Sequence, residues 1–502
     1  MNHDSPIFLD PEHRRWKWVR LGFIAVGVVI FSIAGVLVSG VASEPKLPNL
    51  ALNLNHRILG QHSQAVSNVL QVISEQSEPA LLKTKFNSHL PKTASRVIGF
   101  YVNWDDNSFT SLKQNIQNLD VLMPEWLHLN NSEVSVDDLV KQTKALEFVR
   151  RVRPNLKIDV LINNYNATTQ DWDSVGLAKT LSSFASRAKV IDQLQAFTEK
   201  YRLNGVNIDF ENVPDYSQTN LVKFMREIYA KFHPLKLEVT QSVPLDDPAF
   251  QYKALAAAND QVILMGYDEH ENSSQAGAVA SQNWLTGNVS ERIADIGANK
   301  IILAVGNYGY DWSSDPKQTV NEVSFQDAQA LAKDSNATVS LGGKALNPTF
   351  SYTDEQHKNR TVWYLDAVST FNQILGVSKL GVSSFALWRM GQEDPSVWTV
   401  FKQRANLNSS TANSLRRLRY GYDLDYQGQG ELLKVTSLPH DGTRAIQFDV
   451  KSGLILNETS SNFASPYTIT RWGGSDPKKI ALTFDDGPDP TFTPQVLEIL
   501  KS

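Results

Sequence analysis

Gly205-Val206-Asn207-Ile208-Asp209-Phe210-Glu211 alternates strictly between apolar and polar side chains. In a β-strand, successive side chains point to opposite faces. Asn207, Asp209 and Glu211 therefore share one face, and Val206, Ile208 and Phe210 share the other. In a barrel strand both faces are enclosed, and burying two carboxylates and an amide without partners is costly. The acids stand at the strand's C-terminal end, where parallel barrels collect catalytic groups. An ionised acid raises the pKa of a close neighbour and keeps it protonated. Glu211, the outermost, is then a candidate general acid. A structural polar cluster closing a barrel mouth is the alternative reading of the same spacing.

Outward from this strand, short apolar runs alternate with helical stretches, the signature of a parallel sheet. Eight strands are expected, at 96–102, 121–129, 157–163, 205–211, 236–242, 261–267, 300–307 and 381–388. Helices are expected at 136–152, 188–201 and 220–232, among others. The pattern predicts a (β/α)8 barrel over residues 95–405. An insertion subdomain falls between Tyr308 and Lys379, β-rich around Gly342-Gly343 and Tyr352-Thr353. A doubly wound open sheet is the rival fold. No G-x-G-x-x-G stands at a strand–helix turn, so a dinucleotide fold has no support. Beyond a polar linker (406–414), alternating runs at 431–437, 443–448 and 453–458 predict a small β-rich module over 406–475.

The whole chain has 502 residues and a net charge of -5, which leaves no basic footprint for nucleic acid. It has no cysteine, which excludes disulfides and thiolate chemistry. Residues 21–43 carry no charge and are long enough to cross a bilayer. Arg14, Arg15, Lys17 and Arg20 precede them, so residues 1–20 are expected in the cytoplasm and the rest outside the cell membrane. A buried helix of a soluble domain is the rival reading, and Val41-Ala42-Ser43 leaves room for cleavage of a signal peptide. Residues 44–94 read as a stalk.

Asn204-Gly205-Val206-Asn207-Ile208-Asp209-Phe210-Glu211 resembles the D-x-x-D-x-D-x-E signature of glycoside hydrolase family 18, chitinase-like and closest to its spore-germination branch. Asp209 and Glu211 match the last two acids, while Asn204 and Asn207 replace the first two. In the family the middle acid helps cycle charge during turnover, so rate and pH optimum are the properties these replacements touch. Met265-Gly266-Tyr267-Asp268 is similar to the family's M-x-Y-D, and Trp388 to the aromatic floor under the reacting sugar. Asn207, Tyr101 (with Phe100) and Gln241 are read as further residues lining the substrate site.

The resemblance implies substrate-assisted hydrolysis. Glu211 protonates the glycosidic oxygen, the substrate's 2-acetamido oxygen attacks the anomeric carbon, and Asp209 and Tyr267 stabilise the oxazolinium. Asp268 joins Tyr267 in holding the N-acetyl group. The expected partner is a β-linked N-acetylhexosamine polysaccharide: chitin-like, poly-N-acetylglucosamine or peptidoglycan. No cofactor is expected for the barrel. A barrel that binds polysaccharide without cleaving it is the second functional reading.

At the C-terminal end, Thr483-Phe484-Asp485-Asp486-Gly487-Pro488-Asp489 resembles the first motif of NodB-type polysaccharide deacetylases. By that resemblance 476–502 begin such a domain, with Asp485 as base and Asp486 as a ligand of a zinc-like divalent metal. The family completes its metal site with a later H-x-x-x-H, and no His follows His440 here. One carboxylate does not make a catalytic zinc site, which takes about three protein ligands. The metal is therefore expected only for a complete, longer deacetylase, of which the barrel would be an accessory; this is the third reading.

Overall fold

All eight apolar runs form strands, and the strands close into a barrel. The computed structural model describes residues 95–474, 482–483 and 488–501. The strands are β1 (Val97–Val102), β2 (Val121–Asn130), β3 (Lys157–Asn163), β4 (Gly205–Asp209), β5 (Glu238–Pro244), β6 (Gln261–Gly266), β7 (Ile301–Gly306) and β8 (Ser384–Trp388). Each pairs in parallel with its sequence neighbour, and β1 pairs with both β2 and β8. This is the (β/α)8 barrel the sequence predicts. The expected cytoplasmic tail, membrane span and stalk (1–94), and Asp485 and Asp486, lie outside the described residues. Among the described residues no helix is long and apolar enough to cross a membrane.

Two apolar layers follow from the strand alternation. Ile98, Phe100, Met123, Leu161, Ile263 and Ile302 fill the barrel interior. Val206, Ile208, Val239, Val262 and Leu303 face the surrounding helices. The helix Gln218–Phe232 is typical of that ring: Leu221, Val222, Met225, Ile228 and Phe232 recur at helical spacing and are buried. Arg96 closes the barrel floor through a two-pronged pair with Glu238 at 2.9 and 2.6 Å. Beside it, burial pushes the Asp159 carboxyl up to about 8, and the Glu238 charge adds to the effect.

Strand ends differ from expectation for local reasons. β4 stops at Asp209, because the backbone of Glu211 bonds a side chain instead of a neighbouring strand. β5 starts at Glu238 because Lys236 adopts φ 60°, ending the preceding 3₁₀ turn. β2 carries an irregularity between Glu125 and Leu127. That bulge leaves Glu125 and His128 both facing the barrel interior.

The insertion after β7 supplies strands Tyr308–Ser313, Asn321–Ser324, Val339–Leu341, Pro348–Thr353 and Asn359–Tyr364. The predicted break at 406 does not divide the molecule. Ile455–Asn462 pairs with Val339–Leu341, so the insertion and the 406–475 segment share one eight-stranded sheet. The polar linker is partly a helix, Ser409–Ser414, capped by Asn408, with Thr411 and Ala412 buried. Composition marked it as loop because its apolar content is low; packing against the barrel decides otherwise.

The joint is ionic. Arg444 bonds Asp366 and Asp394, each at 2.6 Å, and Glu458 at 3.1 Å, and all four side chains are fully buried. Asp366 caps the helix Ala367–Ser378, so one guanidinium ties a sheet strand to the barrel wall. A separate three-stranded sheet (Leu424–Gly428, Tyr467–Trp472, Leu432–Ser437) projects from this region.

Candidate active site

The inward face of β4 delivers its acids to the barrel mouth. Asn207 is fully buried: its Nδ2 donates to Thr240 Oγ1 at 3.0 Å, and its Oδ1 accepts from Ser242 Oγ at 3.0 Å. Its amide is thus locked in place by β5. Asp209, also buried, has its pKa raised well above the ordinary range by burial first, then by the charges of Glu211 and Glu125. The Ser242 hydroxyl works against that rise. Asn204 lies elsewhere. Its Oδ1 accepts from Ile158 N at the N-terminal end of β3, at the foot of the barrel. Replacing an acid there alters how the strand ends join and leaves the mouth untouched.

Glu211 is half-buried just past the strand. Asn164 clamps its backbone from both sides, accepting from Glu211 N at 2.8 Å and donating to Glu211 O at 3.1 Å. Burial, and secondarily the Asp268 charge, push the Glu211 carboxyl from 4.5 up to about 7. A carboxyl tuned to that value holds its proton near neutrality and can still release it, which suits a general acid. Activity that depends on protonated Glu211 is present below about pH 7 and declines as pH rises through that value. A kcat/KM profile measures this; an alkaline limb lying above pH 9 would contradict it.

Tyr267 and Asp268 follow β6. Asp268 adopts φ 65°, and its Oδ1 accepts from the hydroxyls of Tyr308 at 2.5 Å and Tyr310 at 2.9 Å. Burial pushes its carboxyl up to about 6 despite those two donors. The Tyr267 ring meets Tyr308 edge-on at 5.9 Å. Trp388, at the end of β8, meets Phe100 edge-on at 5.3 Å and packs on the interior cluster together with Tyr267. The mouth therefore holds three acids with raised pKa values, Asp209, Glu211 and Asp268, with a tyrosine hydroxyl and an indole beside them.

Two expected lining residues face away. Tyr101 sits in the outer apolar layer, and Phe100 takes the inward position. Gln241 pairs in register with the outward Ile208 and accepts from Asn259 at 3.3 Å; Ser242 is the inward residue. In both cases the expected residue is one position off, and a shift of one reverses the face.

The sequence reading passed over several residues of the mouth. Glu125 on β2 accepts from Asn163 Nδ2 at 2.9 Å, and Asn163 Oδ1 meets His128 Nδ1 at 2.7 Å. Tyr308 and Tyr310 come from the insertion, whose Tyr-x-Tyr-x-Trp alternation (308–312) was the available signal. The Arg389 guanidinium lies 3.9 Å from the ring centre of Trp104, an exposed residue just past β1. Replacing Tyr308 by Phe removes one of the donors to Asp268. We expect about a tenfold loss in kcat/KM with little change in Tm, since Tyr310 remains. An unchanged kcat/KM would show that Tyr310 alone suffices. Among the described residues no cluster of His, Asp or Glu is suited to hold a metal ion.

The description "Glycosyl hydrolases family 18" matches residues 96–393. The uncharacterized glycosylase YvbX of Bacillus subtilis is 26% identical over 324 residues, which covers 62% of this chain and 92% of YvbX. The cortical fragment-lytic enzyme of Bacillus subtilis is 24% identical, and the match spans 45% of this chain but only 55% of that enzyme. A chitinase structure from Chromobacterium violaceum superposes with TM-score 0.57 at 22% identity, covering 62% of this chain and 99% of the chitinase. A 24-residue stretch is 75% identical to a peptidoglycan-N-acetylglucosamine deacetylase of Bacillus cereus, 11% of that protein's length. Hydrolysis in family 18 is assisted by the substrate and uses no cofactor. With the family description covering the barrel from β1 past β8, the chain belongs to glycosyl hydrolase family 18.

Proposed function

We propose that this chain is a membrane-anchored glycosidase that cleaves a β-linked N-acetylhexosamine polysaccharide with retention, using the substrate's own acetamido group. The observation that carries the reading is the pair of neighbouring acids on one strand face, Asp209 and Glu211, both with raised pKa values. Glu211 gives its proton to the glycosidic oxygen as the bond to the anomeric carbon breaks. The acetamido oxygen closes onto that carbon. Asp209 orients the acetamido nitrogen and balances the oxazolinium charge, and the Tyr267 hydroxyl donates to its oxygen. Glu211, now ionised, takes a proton from the water that opens the ring, and the anomeric configuration is retained.

Peptidoglycan is the favoured polymer, because the short match noted above is to a protein named peptidoglycan-N-acetylglucosamine deacetylase. Chitin-like glycan is the second candidate. Incubating the chain with N-acetylglucosamine oligomers and purified peptidoglycan separates them. Binding without cleavage of either would favour a non-catalytic barrel, the reading that Asn204 and Asn207 motivate, of which Asn207 is the one on the inward strand face.

The membrane anchor rests on the uncharged run 21–43 and the basic residues before it. A reporter fused after residue 50 is expected outside the cytoplasm, and a cytoplasmic signal would reverse the orientation. The deacetylase motif at 483–489 is supported by its resemblance and by the short match to a peptidoglycan deacetylase. Deacetylation by a domain of that type needs an H-x-x-x-H pair downstream in the gene; a gene without one would remove the reading.

A further inference from the structure

Beside the barrel mouth lies a cavity of about 680 Å³, walled partly by the loops after β1 and β8 and partly by the projecting three-stranded sheet. Its acidic wall is Asp105, Asp106, Asp327 and Asp423. Asp105 is paired with Arg389 and Asp106 with Lys141. Among the described residues Asp327 and Asp423 have no cationic partner. The Asp423 carboxyl is pushed up to about 6, by burial first, then by the charges of Asp327 and Asp105 and against a hydrogen bond from Asn107. Gln392 also lines the cavity, is more than nine-tenths buried, and has an Oε1 without a partner.

The opposite wall is apolar. Strand register puts Leu424, Tyr426, Tyr467, Ile469, Val435 and Leu433 on one face of the sheet, with Arg471 at its far end beside Leu433, where its Nε donates to Gly430 O at 3.1 Å. Tyr426 is 54% and Leu433 59% exposed. The other face is mixed, with Asp425, Gln427, Thr468, Thr470 and Lys434 beside the pair Leu432 and Trp472. An apolar sheet face left open to water marks a binding surface. Leu424 and Tyr426 reach from it into the cavity, and Arg389, which adjoins Trp388, joins the cavity to the mouth.

We propose that this trough is a second glycan-binding site, specific for a stretch of polysaccharide that carries free amines, that is, glucosamine units. A pyranose ring has an apolar face that stacks on Tyr426 while its hydroxyls stay wet. An ammonium at C2 would meet Asp423, which accepts from Asn107, and the free oxygen of Asp327, whose Oδ2 accepts from Ser324 N at 2.9 Å and Ser324 Oγ at 2.7 Å, and a cation placed there relieves the mutual repulsion of the acids. A fully N-acetylated unit offers no charge to that wall. The site would thus grip a partially deacetylated strand beside the point of cleavage. This rests on the glycan-active reading above.

The test uses the full 502-residue chain carrying Glu211→Gln, so that no ligand is cut. Binding of a β-1,4-linked glucosamine hexamer and of its fully N-acetylated counterpart is measured just above pH 6, where the Asp423 carboxyl is mostly ionised. Tyr426→Ala and Asp423→Asn are each expected to weaken glucosamine binding about tenfold and to leave N-acetylated binding unchanged. Tyr426 is exposed, so its replacement leaves the fold intact. No measurable glucosamine binding, or binding that neither substitution alters, would overturn the trough, even if the wild-type chain hydrolyses N-acetylated glycan. Glucosamine binding that falls in Tyr426→Ala, in a chain that hydrolyses nothing, would support the trough and remove the glycosidase reading instead.

Discussion

Glu211→Gln is expected to lower kcat on N-acetylglucosamine oligomers by about a thousandfold while leaving KM within a few-fold of wild type, because the amide keeps the shape and loses the proton. The position is prepared for this role. Its backbone is fixed by Asn164, and its carboxyl is held near 7 by burial and by Asp268. The Gln variant should also lose the alkaline limb assigned to Glu211. Asp268→Asn takes away one of the influences that raise the Glu211 pKa, so in that variant the limb is expected to move to lower pH. Full activity in Glu211→Gln would require another acid in the mouth, and Asp209 would be the first to examine.

Arg444→Met is expected to produce the largest loss of stability from any single substitution considered. It leaves Asp366, Asp394 and Glu458 buried without their shared cation, and breaking a buried pair from one side costs about 3–5 kcal/mol. For a chain of this size that lowers Tm by roughly 4–6 °C. Glu458 already has a pKa raised by burial and by Asp366. The sign of the pH dependence follows. With the cation gone, the acids are tolerated only when protonated, so the variant recovers in acid and worsens as pH rises. Thermal unfolding across pH measures both. A Tm unchanged from wild type would mean that the 406–475 segment folds independently of the barrel. Loss of glycan cleavage in parallel with Tm would tie that segment to the active fold, since Asp394 follows β8 by only a few residues.

The barrel was legible in the sequence because each strand is a short apolar run between helical stretches, and parallel strands buried on both faces leave that imprint. The β4 acids were legible for a complementary reason: polar residues alternating in an otherwise apolar run have no cheap structural use. What alternation does not give is which face points inward. That is set by register with neighbouring strands. Tyr101 and Gln241 were therefore misassigned by one residue, where Phe100 and Ser242 face the interior. The bulge in β2 hid Glu125 and His128 in the same way, because it breaks the period that would have paired them.

Tyr308 and Tyr310 were hidden by distance. They lie in a stretch that reads as an insertion, and only the folded insertion brings their hydroxyls to Asp268, some 40 residues earlier. The break drawn at residue 406 failed for a related reason. Composition changes there, but strand pairing between Val339–Leu341 and Ile455–Asn462 crosses it.

Whether Glu211 and the substrate's acetamido group together carry the reaction is tested most directly by the anomeric configuration of the first product. Proton NMR during hydrolysis of a β-linked N-acetylglucosamine hexamer should show the β-anomer appearing first and the α-anomer growing in by mutarotation. An α-anomer at the earliest times would mean direct attack by water, and would contradict the substrate-assisted mechanism.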